Sequence, residues 1–473
     1  MDSENFRKFG HELIDWMSDY LDSVEKYPVK SQVKPGEIIS QIPKNPPQDG
    51  EDFKKLFSDF EKIILPGITH WQHPKFFAYF PVNSSRISVL AEMITAAINV
   101  QCMSWETSPS ATELEEHVMN WLRDIIGLPK NFTGVIQDTV GNGLTCSLLT
   151  AREKFTNYEI NSRGLQGQPK FIVYCSSEAH SSIEKVVKII GFGKEQLRKI
   201  PVDKNFAMIP EELEKTIKED IDKGFKPLAV VITIGTTGST AIDPMESICK
   251  VGKKYNLWMH VDAALAGSAL VLPEKQWMIK GIEDADTFAF NPHKWLFTNI
   301  DCSAYYVKDF ESLIKTLEIL PEYLKTQTQG VKNYRDWGLQ LGRKFRALKL
   351  WFVIRNYGVK GLQEKIRYHL ELTKKIKDLI ESSNEFELLA PVELNTICFR
   401  HIPKGMTDEE KINEHNEKLL NILNKTGEVY FTHTKLNGKY TIRFVIGQTE
   451  VQERHVIEGW NLIKEKARLM SLN

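Results

Sequence analysis

The first part of the chain has the apolar pattern of an amphipathic helix. Apolar side chains recur every three or four residues, at Phe6, Phe9, Leu13, Met17, Tyr20 and Val24, which places them on one stripe of a helix. Pro28 ends this predicted helix, and a proline-rich loop leads to a second short amphipathic helix near Glu51. Neither helix brings a core of its own, so we expect both to pack on the main domain or on a partner subunit.

From about Ser84 the pattern changes to helical stretches that alternate with short, continuously apolar runs. These runs cover residues 171–174, 228–234, 257–261, 287–290 and 303–307. Runs that are apolar throughout, rather than at every second position, are typical of parallel strands that are buried on both faces. The pattern therefore predicts an α/β domain with a mostly parallel central sheet and helices on both faces.

After about Tyr357 the pattern indicates a smaller α+β domain. It predicts a long charged helix over 361–382 and strands at 386–389, 396–400, 429–434 and 440–445, and Asn437-Gly438 is a hairpin turn signal between the last two. We predict an N-terminal helical segment (1–83), a large α/β domain (84–357) and a small C-terminal domain (358–473). The polar stretch 320–342 is expected to be an exposed loop, or alternatively a lid over a cleft.

Composition narrows the class of protein. The chain has 473 residues and a formal net charge of −1, which gives no electrostatic reason to expect nucleic acid as a partner. The apolar runs are too short for a membrane span, and the polar N-terminus does not have the pattern of a signal peptide. The six cysteines are scattered without a CxxC motif, so we expect free thiols in a cytoplasmic protein and predict no metal site.

Two ionisable residues stand at the ends of predicted strands. Lys294 follows the run 287–290 and a proline turn, where its amine can react with an aldehyde cofactor if the surroundings favour the neutral form. Asp262 ends the run 257–261, and a buried carboxylate there needs a partner. A protonated pyridine nitrogen is one such partner, and a cap on the following helix is the alternative.

Three further turns carry residues that suit the same cofactor. His180 follows the run 171–174 and could stack on a pyridine ring, although a histidine at the start of a surface helix is the ordinary alternative. The segment 134–143 leads into a helix whose N-terminus suits a phosphate group, and Thr237 could bond a ring substituent. Each turn is ambiguous by itself, but their common place at the strand ends of one α/β domain describes a pyridoxal phosphate site.

On these motifs the chain resembles the group II pyridoxal-phosphate-dependent decarboxylases, and most closely the aromatic L-amino acid decarboxylase family. The resemblance covers nearly the whole chain and rests on residues 70–81, 108–115, 134–137, 179–182, 260–264, 291–295 and 334–337. It implies the aminotransferase fold type I, with a large domain, an N-terminal helical segment and a small C-terminal domain. It also implies a homodimer in which the N-terminal helices are exchanged.

The resemblance also implies roles for individual residues. Lys294 becomes the Schiff-base lysine, Asp262 the partner of the pyridine nitrogen, and His180 the residue that stacks on the ring. Tyr334 falls on the mobile catalytic loop, where the family places its proton donor. The other predicted cofactor contacts are Thr139, Val140, Gly141, Thr237, Ala264, Asn291 and His293, and the predicted substrate contacts are Trp71, Tyr79, Phe80, Pro81, Val82 and Met103.

The predicted activity is the decarboxylation of an aromatic L-amino acid to its arylalkylamine and carbon dioxide. Val140-Gly141 departs from the hydroxyl-bearing pair that is usual in the family, so one side-chain contact to the phosphate is expected to be missing. Four alternatives stay open. They are an aromatic acetaldehyde synthase, which typically has Phe at position 334, an aminotransferase that holds the α-carboxylate through Arg443, a decarboxylase for another amino acid, and a binding protein without activity.

Overall fold

The computed structural model describes residues 1–319, 328 and 330–471. Its α-helices are α1 (Ser3–Ser23), α2 (Glu37–Gln41), α3 (Phe53–Asp59), α4 (Arg86–Ile98), α5 (Pro109–Ile125), α6 (Val140–Phe155), α7 (Glu159–Arg163), α8 (Ser182–Ile189), α9 (Pro210–Asp222), α10 (Met245–Lys254), α11 (Pro292–Trp295), α12 (Phe310–Leu317), α13 (Arg346–Glu381), α14 (Glu409–Lys425) and α15 (Glu453–Ser471). Its strands are β1 (Thr133–Gln137), β2 (Phe171–Ser176), β3 (Leu197–Ile200), β4 (Lys226–Thr233), β5 (Trp258–Asp262), β6 (Thr287–Phe290), β7 (Ser303–Val307), β8 (Phe386–Leu388), β9 (Thr396–His401), β10 (Thr432–Leu436) and β11 (Lys439–Val445).

The chain divides into two compact units, which differ in size. The larger unit comprises Val82–Thr373 and Ala390–Ile397, and the smaller unit comprises Met1–Pro81, Lys374–Leu389 and Cys398–Asn473. The domain boundaries predicted after residues 83 and 357 stay predictions. Among the described residues, no helix combines the length and the apolar character that a membrane crossing requires.

The larger unit is built on a seven-stranded sheet in the order β1-β7-β6-β5-β4-β2-β3. Strands β2 to β6 pair in parallel, whereas β7 is antiparallel to both β6 and β1. The prediction of a mostly parallel sheet is confirmed, and all five predicted strands are present. The sequence pattern missed β1, which it treated as part of a turn, and β3, which is only partly buried at the edge of the sheet.

The smaller unit contains a four-stranded sheet in the order β10-β11-β9-β8. The predicted hairpin is present, because Asn437 and Gly438 both adopt positive φ angles (50° and 79°) between β10 and β11, as a type I′ turn requires. In the same unit α1 confirms the predicted first helix, and Phe9 stacks on Phe53 of α3 with ring centroids 4.6 Å apart.

The segment before α13 differs from its prediction as an exposed loop. Residues 320–327 and 329, which belong to the predicted loop or lid, lie outside the described residues. Tyr334–Trp337 form a 3-10 turn in which all four residues are buried. The prediction of exposure is wrong for this turn, because Tyr334 and Trp337 belong to an apolar cluster with Val135, Val140 and Tyr305.

Candidate active site

Asp262 and Lys294 both lie at the C-terminal ends of strands in the parallel sheet. Asp262 is the last residue of β5 and is buried, and its Oδ1 accepts a hydrogen bond from the Ala264 amide at 3.0 Å. Lys294 lies in the short helix α11 that follows β6, the strand next to β5. Asn291 joins these two turns, because its amide donates to the Ala264 carbonyl (3.0 Å) and its carbonyl accepts from the Lys294 amide (2.9 Å).

Burial changes the proton affinity of both residues. It lowers the pKa of the Lys294 amine, although the negative charge of Asp262 opposes this shift. It raises the pKa of Asp262, against the opposing effects of the Lys294 charge and the Ala264 amide. A lysine with a lowered pKa is more often the neutral amine that can attack an aldehyde. Perturbed ionisable residues at a sheet edge are typical of functional sites.

His180 lies just before α8, after β2, which β4 separates from β5 in the sheet. Its Nδ1 accepts a hydrogen bond from the Ser182 amide (3.2 Å) and lies 2.8 Å from the Ser182 hydroxyl. Since an amide N–H can only donate, the neutral ring carries its proton on Nε2. Partial burial lowers the pKa of His180, and the charges of Lys294 and Asp262 act on it in opposite directions. The charges of Lys294 and Asp262 therefore both act on the His180 ring.

The predicted phosphate turn forms the start of α6. Thr139 caps this helix, and its hydroxyl accepts from the Asn142 amide at 3.3 Å. Asp138 organises the turn, because its Oδ1 accepts from the Thr139 amide and from the Asn142 side chain, both at 2.6 Å. At Gly141, a Cβ atom would meet only the Thr139 hydroxyl, at 3.6 Å. The turn therefore has room for a further side chain.

Three buried polar atoms near the C-terminal ends of the parallel strands have no hydrogen-bond partner within the described part of the chain. They are Oδ1 of Asn291, the hydroxyl of Ser176, the last residue of β2, and the hydroxyl of Thr233, the last residue of β4. Buried polar groups are normally paired, so unpaired ones at a sheet edge indicate a place where a polar ligand binds. Sequence reasoning predicted Asn291 but missed Ser176, since a serine at a strand end carries no distinctive motif.

His293 and Thr237 occupy different surroundings. His293 is buried, its Nδ1 accepts from the Cys302 amide at 3.0 Å, and its amide donates to the Cys302 carbonyl at 3.3 Å. Burial lowers the pKa of His293 to about 4, so the neutral ring fixes the turn that carries Lys294. Thr237 is exposed in the turn after β4.

Tyr334 is held by a buried ion pair that the sequence did not indicate. The guanidinium of Arg343 lies 4.9 Å from the centre of the Tyr334 ring and 2.6 Å from Glu115 Oε1. Ala264 packs against the apolar cluster that contains both Tyr334 and Val140. Burial raises the pKa of Tyr334 well above its usual value, and the Tyr334 hydroxyl has no hydrogen-bond partner among the described residues. Tyr334 therefore shares an apolar cluster with Val140 at the start of α6, and Ala264, two residues after Asp262, packs against that cluster.

The predicted substrate residues are divided between the two units. In the larger unit, the Met103 carbonyl accepts from the Arg335 amide at 2.9 Å, next to Tyr334, and Val82 is partly buried. In the smaller unit, Tyr79 stacks on Trp71 with centroids 5.6 Å apart, and its hydroxyl lies 3.2 Å from that of Tyr430. Phe80 and Pro81 are buried in the same segment.

Comparisons with known proteins agree with this geometry. The model of the pyridoxal-dependent decarboxylase conserved domain matches residues 35–402. A tyrosine decarboxylase from Papaver somniferum is 41% identical over 98% of this chain and 95% of its own length. A phenylacetaldehyde synthase from Petunia hybrida is also 41% identical, over 99% and 96%. The crystal structure of Oryza sativa TDC with PLP and tryptamine has a TM-score of 0.97 and 34% identity, covering 100% of this chain and 99% of that one. The matching architecture confirms the predicted fold class, and the chain belongs to the pyridoxal-dependent decarboxylase family.

Proposed function

We propose that this pyridoxal-phosphate-dependent decarboxylase acts on an aromatic L-amino acid and releases the arylalkylamine and carbon dioxide. The observation that carries the proposal is the placement of Asp262 and Lys294 after the adjacent parallel strands β5 and β6, where the backbone of Asn291 joins their two turns. The aromatic substrate class is supported by the relatives, which include a tyrosine decarboxylase and a structure that contains tryptamine.

The residues present fit pyridoxal phosphate. Asp262 would pair with the pyridine nitrogen, Lys294 would bond the aldehyde carbon, and His180 would lie against the ring. The phosphate would take the amides at the start of α6, since Val140 and Gly141 are its first two residues and helix-start amides lack partners within the helix. The buried Oδ1 of Asn291, which has no partner among the described residues, would give the cofactor a further polar contact.

When bound, the cofactor supplies an aldehyde that bonds an amino group and a protonated ring that accepts the electrons released with carbon dioxide. Asp262 would keep a proton on the ring nitrogen, which requires that its carboxylate stay ionised despite burial. Lys294 would hold the aldehyde through its amine until a substrate amine takes its place. Tyr334, whose raised pKa keeps its hydroxyl protonated, gives a proton to the α-carbon after carbon dioxide has left.

The direct test is an amine assay with a panel of tryptophan, tyrosine, phenylalanine and dihydroxyphenylalanine. We expect equal amounts of amine and carbon dioxide from at least one of them, and none from a Lys294→Ala variant. Borohydride reduction followed by peptide mapping should label the peptide that contains Lys294. A label on another lysine, or amine production that survives Lys294→Ala, would contradict the site assignment.

Tyr334 favours the amine product over the aldehyde that the Petunia relative's name indicates. Without a proton donor at the α-carbon, oxygen and water can react there instead, and the products become an aldehyde, ammonia and hydrogen peroxide. We expect Tyr334→Phe to lower the amine yield and to raise both aldehyde and peroxide. Because Tyr334 packs on Arg343 through its ring, the phenylalanine should fold normally. An unchanged amine yield would reject this role.

The aminotransferase alternative requires Arg443 to hold the α-carboxylate of the substrate. It lies on β11 in the smaller unit, where it is buried and its guanidinium donates to the Thr432 hydroxyl at 3.1 Å. The Phe80 ring lies 5.3 Å from the same guanidinium. These contacts give Arg443 a role in supporting Phe80 within that unit. Turnover of a keto acid without release of carbon dioxide would revive the aminotransferase.

Two helices support the proposal that the chain works as a homodimer. In the smaller unit, α1 has no buried residue, and Phe6 is 68% exposed. In the larger unit, α4 exposes Leu90, Met93, Ile94 and Ile98. Apolar faces of this kind are typical of subunit interfaces. Light scattering that gives a mass near twice 54.4 kDa would support the homodimer.

All six cysteines are free and buried, which supports a reducing, cytoplasmic location.

A further inference from the structure

A chain of four buried polar side chains runs along one face of the sheet in the larger unit. The Trp258 indole N–H donates to the Ser147 hydroxyl at 2.8 Å. That hydroxyl lies 2.7 Å from the Thr287 hydroxyl, which lies 2.9 Å from Nδ1 of His260. All four residues are buried, and Ser147, Thr287 and His260 have no exposed surface. A fully buried polar chain of this length is costly to keep unless it performs a task.

The direction of the hydrogen bonds follows from the donors available. Trp258 can only donate, so Ser147 accepts from it and has its own proton left to give. If Ser147 donates to Thr287, then Thr287 donates to His260, and each hydroxyl gives and receives one bond. In the reverse direction Ser147 would receive two bonds and would have to give its proton to the nearby Tyr305 hydroxyl, whose own proton would then have no acceptor among the described residues. The first arrangement satisfies every hydroxyl, and it fixes His260 with its proton on Nε2.

This N–H lies on the same face of the sheet as Asp262. His260 and Asp262 are two residues apart on β5, so their side chains leave the same face. Thr233 is paired with Asp262 in the parallel register between β4 and β5, and its side chain therefore shares that face. Nε2 of His260 and the hydroxyl of Thr233 are both buried without a partner among the described residues. Two polar atoms without a partner thus share the sheet face of the carboxylate that is assigned to the ring nitrogen.

We propose that His260 is a positioning residue for Asp262, and that Trp258, Ser147 and Thr287 fix its imidazole as an N–H donor toward that carboxylate. The donor acts through one ordered water that it shares with the Thr233 hydroxyl. It stabilises the ionised form of Asp262 from the protein side, while the cofactor ring would bind on the other side. The inference rests on the assignment of Asp262 in the proposed function.

The sharpest test changes a residue that is remote from the cofactor. Thr287→Val removes the hydroxyl with little change in shape, so that His260 loses the partner that fixes its tautomer. We expect the dissociation constant of pyridoxal phosphate to rise severalfold, and about tenfold in His260→Leu. The pH midpoint of the visible absorption band should move in both variants, and kcat should fall more than KM rises. His260→Gln, which keeps an N–H donor, should recover most of the affinity.

The matched control is Thr150→Val, because Thr150 is a buried threonine whose hydroxyl donates only to the Cys146 carbonyl of its own helix. Loss of affinity and a shifted band in Thr287→Val, with neither in Thr150→Val, would support the hydrogen-bond relay from Trp258 through Ser147 and Thr287 to His260. The relay is wrong if Thr287→Val binds the cofactor within twofold of the wild type with an unmoved band. Asp262→Asn distinguishes a failure of the His260 proposal from a failure of the proposed function. Unchanged cofactor binding and an unchanged spectrum in that variant would reject the assignment of Asp262 to the ring nitrogen.

Discussion

Gly141 is the position at which a single substitution should strengthen cofactor binding. It is the second residue of α6, in the turn assigned to the phosphate, and it has no positive φ angle. A Cβ added there meets only the Thr139 hydroxyl, at 3.6 Å, an ordinary van der Waals distance. The neighbouring Val140 is buried in the apolar cluster and cannot offer a polar atom. Gly141→Ser therefore adds a hydroxyl without displacing any neighbour.

The size of the effect follows from the kind of bond that is added. A hydrogen bond to a charged group stabilises by about 1.5–3 kcal/mol. The lower value applies here, because Thr139 is exposed and the turn is accessible to water. About 1.5 kcal/mol corresponds to about tenfold in a dissociation constant. Replacing a helical glycine also stabilises the fold itself by about 0.5–1 kcal/mol, which has to be separated from the effect on binding.

Gly141→Ala provides that separation, because it adds the same Cβ atom without the hydroxyl. Both variants should unfold at a similar, slightly higher temperature in the absence of cofactor. Titration of the apo-proteins with pyridoxal phosphate, followed by quenching of tryptophan fluorescence, should give about tenfold tighter binding for serine than for alanine. Equal affinities for the serine and alanine variants would refute the assignment of this turn to the phosphate.

Three further predictions concern stability. Glu115→Gln leaves the buried Arg343 without its ion-pair partner and should lower the free energy of unfolding by about 3 kcal/mol in urea titrations; a loss below 1 kcal/mol would contradict a buried pair. Gly267→Ala places a Cβ 2.3 Å from that of Phe290 and should cost about 1–3 kcal/mol, whereas Gly10→Ala, with no atom within 4 Å, should cost nothing. Four buried histidines have pKa values of about 3 to 4, below the unfolded value of about 6.5. Their contribution to stability is complete above pH 6.5 and is lost as the pH falls, by about 1.4 kcal/mol per pH unit for each histidine. Burial raises the pKa of Asp243 to about 7, so that this residue gains stability as the pH falls and offsets the loss from one histidine. The four histidines are His73, His260, His293 and His401. An apo-protein whose melting temperature is the same at pH 7 and pH 5 would refute the predicted net loss of stability.

The sequence predicted the elements whose pattern is local. Strands buried on both faces are apolar throughout, and for this reason β2, β4, β5, β6 and β7 could be predicted from single runs of residues. β3 lies at the edge of the sheet and is only partly buried, so its residues Leu-Arg-Lys-Ile lack a continuous apolar run. The strand β1 contains Gly134, which obscures the pattern but lets the Tyr306 ring approach closely.

The candidate site was predictable where the residues follow strand ends. Asp262 directly follows an apolar run, Lys294 and His180 follow theirs by four and six residues, and parallel strands bring such positions to the same end of the sheet. The burial of Tyr334 was not predictable, because it arises from an apolar cluster of residues far apart in the sequence, and the Arg343–Glu115 ion pair beside its ring joins residues 228 positions apart. The same is true of the relay from Trp258 to His260, which joins residues from α6, β5 and β6.

Burial of the site favours catalysis through its effect on Lys294 and opposes it through its effect on Asp262. Lowering the pKa of Lys294 helps, since the neutral amine is the reactive form. Raising the pKa of Asp262 hinders, since only the ionised carboxylate can keep a proton on the ring nitrogen. A site that excludes water therefore needs hydrogen-bond donors directed at the carboxylate and not at the amine. The Ala264 amide is one such donor, and the N–H of His260 is placed on the correct sheet face to be the second. This asymmetry explains why a fully buried imidazole stands two residues before Asp262, where an apolar side chain would otherwise stabilise the sheet.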